Sequence, residues 1–128
     1  MDIPQELLYT PNHEWVRVDG SRATIGLTDY VQMEIGLVVF AELPEEGEEL
    51  QAGDLLGTME SVTAETDVFM PLSGTVVSIN RVLGKNPHYI NRFPYGSGWL
   101  IQIEMNKPEE LEALWSAEKY ADVFEERL

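Results

Sequence analysis

The 128-residue sequence contains no cysteine, so it can form neither a disulfide framework nor a thiolate nucleophile, and it cannot build a cysteine-based zinc or iron–sulfur site. It has two histidines, His13 and His88, too few for a His-rich metal site. Basic residues are scarce: 8 Lys+Arg stand against 23 Asp+Glu, for a net charge of -15. A surface of that sign repels phosphate backbones and anionic headgroups, which argues against nucleic-acid and membrane binding. Long hydrophobic runs are absent as well. Leu37-Val38-Val39-Phe40-Ala41 is among the longest and falls far short of the roughly 20 residues that span a bilayer. The start, Met1-Asp2-Ile3-Pro4-Gln5-Glu6, lacks the basic and apolar regions of a secretory signal, which makes cytoplasmic residence the expectation.

What is present is 44% hydrophobic residues, enough to build one compact domain over residues 1–128. The charge is unevenly placed. Between Arg22 and Arg81 there is no Lys or Arg, while those 58 residues carry eleven acids from Asp29 to Asp67. The middle of the chain is anionic and contains no primary amine. Such a surface keeps a small protein soluble, and it can also steer basic partners in a salt-dependent way.

Glu14–Val18 and Arg22–Leu27 flank Asp19-Gly20 and read as a β-hairpin, because Asp-Gly supplies the positive φ of a tight turn. Thr28 or Asp29 caps a short helix that reaches Ile35, with Gly36 closing it. Leu37–Leu43 has the β-branched and aromatic content of a largely buried strand, and Pro44–Gly47 forms a turn. Leu55–Ser61 and Glu65–Met70 form a second hairpin with Thr63 near its tip, and Thr75–Ile79 resumes the strand pattern. Gly or Pro about every ten residues from 20 to 74 favours a small barrel or sandwich. Asn86–Asn91 suggests one helical turn, Phe93–Gly98 a loop and Trp99–Glu104 a last strand. The period then changes from 2 to about 3.6. Asn106 caps a first tail helix with Pro108 in its first turn and Leu111, Leu114 and Trp115 as an apolar stripe. After Ser116 a second presents Ala117, Tyr120, Ala121, Phe124 and Leu128 on one face. This helical tail, about 107–127, is expected to pack on the barrel and cover an open edge.

No catalytic constellation stands out. His13 and Glu14 adjoin the first strand, where successive side chains point to opposite faces, so they are not expected to act on one substrate atom. There is no nucleophile elbow, phosphate-cradling loop or dinucleotide fingerprint. The residues alone thus describe an acidic, mostly-β domain of the binding or carrier kind, without naming its ligand.

Several segments taken together resemble the H protein of the glycine cleavage system: Tyr9–Val16 with its His-Glu-Trp, Ile25–Tyr30, Val39–Pro44 with its Glu-Leu-Pro turn, Glu60-Ser61-Val62, Ser73–Val77, and Asn91–Trp99. They fall in order over nearly the whole chain. The resemblance implies a barrel-sandwich hybrid of the lipoyl-domain type with a short N-terminal extension and C-terminal helices. It implies a non-enzymatic carrier with no metal, whose lipoate is held in amide linkage by a lysine at the hairpin tip. The implied partners are a pyridoxal-phosphate-dependent glycine decarboxylase, a tetrahydrofolate-dependent aminomethyltransferase and dihydrolipoamide dehydrogenase. A monomer is expected.

The sequence departs from that pattern where the family places its lysine, directly after Glu60-Ser61-Val62, because the residue there is Thr63. A hydroxyl has no amine with which to form the amide, so Thr63 is predicted to stay unmodified and lipoate to be absent. The only lysines are Lys85, Lys107 and Lys119; Lys85 sits in a turn without the Glu-Ser-Val context and the others in the tail. By the same resemblance Glu14 and Asp67 line the cleft that receives the charged end of the loaded arm, while Asn12 and Met70 replace small hydroxylated residues there. Two functions follow as expectations: a carrier in lineage that lacks its arm, or an H-like interaction or regulatory module that docks on lipoate-handling or glycine-cleavage enzymes.

Overall fold

The computed structural model describes residues 1–125. Nine strands and three α-helices occur in the order β1 Leu8–Tyr9, β2 Glu14–Asp19, β3 Arg22–Leu27, α1 Asp29–Ile35, β4 Val38–Glu42, β5 Glu49–Leu50, β6 Leu55–Ser61, β7 Glu65–Phe69, β8 Gly74–Ile79, α2 Tyr89–Arg92, β9 Ile101–Met105 and α3 Ala117–Phe124. Short 3₁₀ segments cover Arg81–Gly84 and Pro108–Ala113. The strands form a six-stranded sheet in the order β1-β2-β3-β9-β8-β5 and a three-stranded sheet in the order β4-β6-β7. This is the barrel-sandwich hybrid of lipoyl-type domains. Inward residues of both sheets meet in one core, with Val16, Ile25, Val76 and Ile103 from the first and Val38, Leu56, Met59 and Val68 from the second. On the other side of β2, Trp15 joins Leu7, Tyr9, Ala117 and Tyr120 in a second cluster that holds the C-terminal helix.

Both hairpins form where the turn residues imply. Glu14 pairs with Leu27 and Asp19 with Arg22 around Gly20, whose φ is 63°. In the second hairpin Glu60 pairs with Glu65, leaving Val62, Thr63 and Ala64 at the tip. Gly57 has a conformational role of its own here. A Cβ at that position would lie 2.1 Å from the Glu42 carbonyl oxygen, so only glycine lets β6 pass so close to β4.

Several elements differ from the sequence expectation. Leu37–Leu43 is not a largely buried strand: Val38 is buried, but Leu37, Val39 and Phe40 are exposed. The pairing of β4 with β6 shifts between Val38 and Phe40, and such a bulge inserts a residue, breaks the two-residue alternation and turns side chains outward. Strands β1 and β5 are two residues long, too short to leave a periodic signature. The first tail segment is a 3₁₀ helix entered from Lys107, not an Asn106-capped α-helix. Asn106 instead donates its backbone N–H to the Ser73 carbonyl at 3.1 Å. Gly36 does follow α1, with φ 78° and ψ -158°, a conformation open to glycine alone and distinct from the left-handed helical one. The tail covers an edge as expected: Tyr9 and Trp115 exchange backbone hydrogen bonds of 2.8 and 2.7 Å, extending the sheet beyond β1. Ser116 caps α3 by accepting from the Lys119 N–H. Leu128, expected on the apolar face of that helix, lies outside the described residues.

Candidate functional site

The hairpin tip is built around Ser61. Its Oγ accepts the backbone N–H of Ala64 at 3.0 Å and that of Thr63 at 3.4 Å, and donates to the Ala64 carbonyl at 3.2 Å. A second bond runs from the Ser61 N–H to the same carbonyl at 2.8 Å. One hydroxyl thereby fixes the turn and leaves its apex outside. Val62 is 75% exposed, and Thr63 is exposed with its hydroxyl bonded to no other described residue. Glu60 sits one step below, opposite Glu65. The tip is exposed, and what it presents at position 63 is a hydroxyl. Lys85 is exposed too, just after the Arg81–Gly84 turn and away from this hairpin in sequence.

Glu14 begins β2 and is 2% exposed. It shares its face of the strand with Val16, so its carboxyl points toward the interior rather than toward solvent. Thr10 Oγ1 donates to Glu14 Oε1 at 2.7 Å and also accepts from the N–H groups of Asn12 and Glu14. Burial pushes the Glu14 carboxyl up to about 7, against the Thr10 hydroxyl and the Phe69 backbone, which favour its ionised form. The influence of Phe69 puts Glu14 beside β7, the descending strand of the hairpin. Asp67, two residues back on that strand, is exposed and accepts from Thr58 Oγ1 at 3.1 Å across the ladder. Each acid named from the sequence therefore has its own hydroxyl partner, Thr10 for Glu14 and Thr58 for Asp67. Asn12 is exposed in the loop before β2, while Met70 is buried and packs in the core.

His13 takes a different path from Glu14. It holds φ at 72°, rare for a residue with a Cβ, and its Nδ1 lies 2.7 Å from the Tyr120 hydroxyl, which lies 2.7 Å from Thr28 Oγ1. Its ring stacks on Tyr30 at 4.0 Å and meets Phe124 edge-on. Burial pulls the imidazole below its usual range and lifts the Tyr120 phenol to about 12. This linkage pins α3 to the loop before β2 and leaves His13 and Glu14 with no shared target. Thr10, Tyr120 and the turn-forming role of Ser61 were not foreseen from the sequence. Thr10 lies next to a recognisable His-Glu-Trp, but the His13–Tyr120 contact joins residues 107 apart and leaves no local mark.

Among the described residues no three His, Asp or Glu side chains come together as a metal site, and no helix is long and apolar enough to cross a membrane. A groove of about 530 Å³ opens between the end of β4 and the start of β6, lined by Glu42, Pro44, Glu45, Glu48, Leu50 and Leu55 among others. It lies at the base of the hairpin rather than at its tip.

A glycine cleavage H-protein family model matches residues 7–127. The glycine cleavage system H protein of Halothermothrix orenii is 46% identical over 126 residues, 98% of this chain and 98% of that one. That of Salinibacter ruber is 46% identical over 123 residues, 96% of this chain and 99% of that one. The crystal structure of a glycine cleavage system H protein from Mycobacterium marinum superposes with a TM-score of 0.85 at 32% identity, over 94% of this chain and 97% of that chain. The chain belongs to the glycine cleavage H-protein family, whose members are lipoate carriers serving the enzymes of glycine cleavage and not themselves enzymes.

Proposed function

We propose that this H-protein family member works without a lipoyl arm, as a single cytoplasmic domain that docks on glycine-cleavage or lipoate-handling enzymes. The observation that carries the reading is the chemistry of the apex. The turn that should offer an amine offers the exposed hydroxyl of Thr63, and no other residue from 23 to 80 is a lysine. Amide formation with lipoate needs a nitrogen nucleophile, so the tip stays bare. Everything around the apex remains suited to contact with a partner: an ordered turn, an exposed Val62 and a rigid barrel behind it. Glycine decarboxylase, aminomethyltransferase and dihydrolipoamide dehydrogenase are the candidate partners. Glu14 and Asp67, assigned by resemblance to the arm cleft, have no arm to receive in this reading.

A second reading has one observation in its favour. Ser61 holds the tip through backbone atoms alone at positions 63 and 64, so a lysine fits at position 63 without disturbing the turn. On that reading the chain is a carrier interrupted at a single residue. Thr63→Lys separates the two. If the variant is lipoylated by a lipoate ligase and supports aminomethyl transfer, the carrier machinery is intact behind Thr63. If it does neither, the docking module is the better account.

A further inference from the structure

Beyond the acidic middle of the chain the balance of charge reverses. From residue 68 to residue 103 there is no Asp or Glu, although the sequence holds 23 of them, and this stretch carries Arg81, Lys85, His88 and Arg92. Residues 81–93 form one run of overlapping turns. A 3₁₀ turn at Arg81–Gly84 is followed by N–H bonds from Tyr89 to the Asn86 carbonyl and from Arg92 to the His88 carbonyl, which lead through α2. Leu83 and Ile90, seven residues apart, are buried and hold the run against the core. Val82, Lys85, Arg92 and Phe93 are left exposed.

Three features set this ridge apart from an ordinary solvated surface. Its cations are unpaired in a molecule rich in acids. Among the described residues Arg22 and Arg81 pair with Glu104 and Glu46, Arg17 donates to the Tyr95 carbonyl, Lys107 donates to Gln51 Oε1, and Lys119 rests over the Trp115 ring. Among the same residues Lys85 has no hydrogen-bond or ion-pair partner for its ammonium group, and Arg92 has no carboxylate partner and lies over the Phe93 ring. Aromatic rings are interleaved with these cations: Phe93 meets Tyr89 edge-on at 5.4 Å, and Tyr89 meets His88 edge-on at 5.0 Å. Val82 and Phe93 are 48% and 46% exposed. Apolar surface ringed by unpaired cations is complementary to carboxylates set around an apolar side chain. The ridge is also preorganised. Asn80 accepts the Val82 N–H and donates to the Ser97 and Trp99 carbonyls at 2.7 and 2.8 Å, while the Asn91 amide is tied to Gly36 and Val38. Binding there has little backbone left to order.

We infer that the ridge over residues 82–93 binds a protein segment that presents Asp or Glu beside an apolar side chain. Lys85 and Arg92 receive the carboxylates, and Phe93 with Val82 supplies the apolar contact. A nucleic acid fits less well. A long polyanion would run off the ridge onto a molecule of net charge -15, whereas a short acidic segment meets the ridge alone, within a Debye length of about 10 Å at 0.1 M salt. Neither the hairpin tip nor Glu14 takes part, so this surface is independent of the missing arm and of the docking reading above.

Fluorescence anisotropy with the full chain and short labelled probes tests this. The probes are a peptide of Glu and Phe, a peptide of Glu and Ser with the same charge, an uncharged peptide of Ser and Phe, and single-stranded DNA of the same charge as the acidic peptides. The Glu/Phe peptide is expected to bind tightest at low salt and to weaken as salt rises. Lys85→Gln/Arg92→Gln is expected to lower its affinity about tenfold, and Phe93→Ala about fivefold. Lys107→Gln/Lys119→Gln, the same charge change in the tail, is expected to leave it within about twofold. Failure of the wild type to bind the Glu/Phe peptide at low salt overturns the assignment of this ridge. Equal loss from the Lys107 and Lys119 pair overturns it too, since net charge would then suffice, and so does a Ser/Phe peptide that binds as tightly as the Glu/Phe one. DNA that binds as tightly as the Glu/Phe peptide, and is lost with Lys85→Gln/Arg92→Gln, makes a nucleic acid the occupant and contradicts the acidic segment. The Thr63 reading stands apart from all of these outcomes and is decided by Thr63→Lys.

Discussion

Two carboxylates carried forward from the sequence behave differently because of where each strand places them. Asp67 faces solvent on β7, while Glu14 faces inward at the start of β2. The Glu14 carboxyl titrates near 7 in the fold and near 4.5 when exposed. Its folded form thus binds a proton more tightly than its unfolded form, so this group's contribution to stability is fully present below about pH 4.5 and is lost as pH rises through 7. The size is roughly 3 kcal/mol. His13 acts in the opposite sense: burial lowers its pKa, so its contribution is present above 6.5 and is lost as pH falls below that value and through the lower folded pKa. The difference between wild type and Glu14→Gln isolates the carboxyl. Denaturant unfolding from pH 4 to 8 should show the variant gaining on the wild type as pH rises, with the gap opening between pH 5 and 7. A constant gap would mean that Glu14 ionises freely. At this scale the sequence carried the identity of Glu14 and the absence of an amine at Thr63, but not the Thr10 hydroxyl that partners the acid. That partner is four residues away in a loop whose path depends on the unusual backbone of His13.

Elements bordering the site are held by side chains distant in sequence. The Asn91 amide spans the free edge of β4: its Nδ2 donates to the Gly36 carbonyl at 2.7 Å and its Oδ1 accepts the Val38 N–H at 2.9 Å. It stands in for a neighbouring strand and closes an edge that is otherwise open to pairing. Asn91→Ala should cost about 1–3 kcal/mol and speed exchange of the Val38 amide well before global unfolding; unchanged exchange there would mean that the edge is held some other way. Tyr120→Phe removes the hydroxyl shared by His13 and Thr28 and leaves the fully buried Thr28 without that partner. It should cost about 1–3 kcal/mol, read by thermal or denaturant unfolding, whereas a neutral result would show that the linkage does not hold α3. Hairpins, helix α1 and the helix after Ser116 were legible because Asp-Gly, a capping residue at Thr28 or Asp29 and apolar periodicity are local signals, whereas the Ser116 cap itself emerged only in the structure. The exposure of Phe40 was not, because a bulge is a feature of pairing and β4 alone does not encode it. Nor were β1 and β5, since two residues cannot display a period.

For the whole molecule, the barrel-sandwich hybrid and its family followed from motifs spread along the chain, and the 0.85 TM-score to the Mycobacterium marinum structure agrees with them. Residues 23–80 contribute eleven acids and no base, and the whole of the three-stranded sheet lies within that span. An anionic sheet face was thus implicit in the sequence, although which acids share it depends on the register. An H-protein fold that meets its partners without an arm carries no lipoyl group. The most direct test is the intact mass of the protein purified from its native host, with peptide mapping across residues 55 to 85. The expected result is the unmodified mass, with Thr63 and Lys85 both bare. A lipoyl mass on either residue would contradict it and return the chain to the carriers.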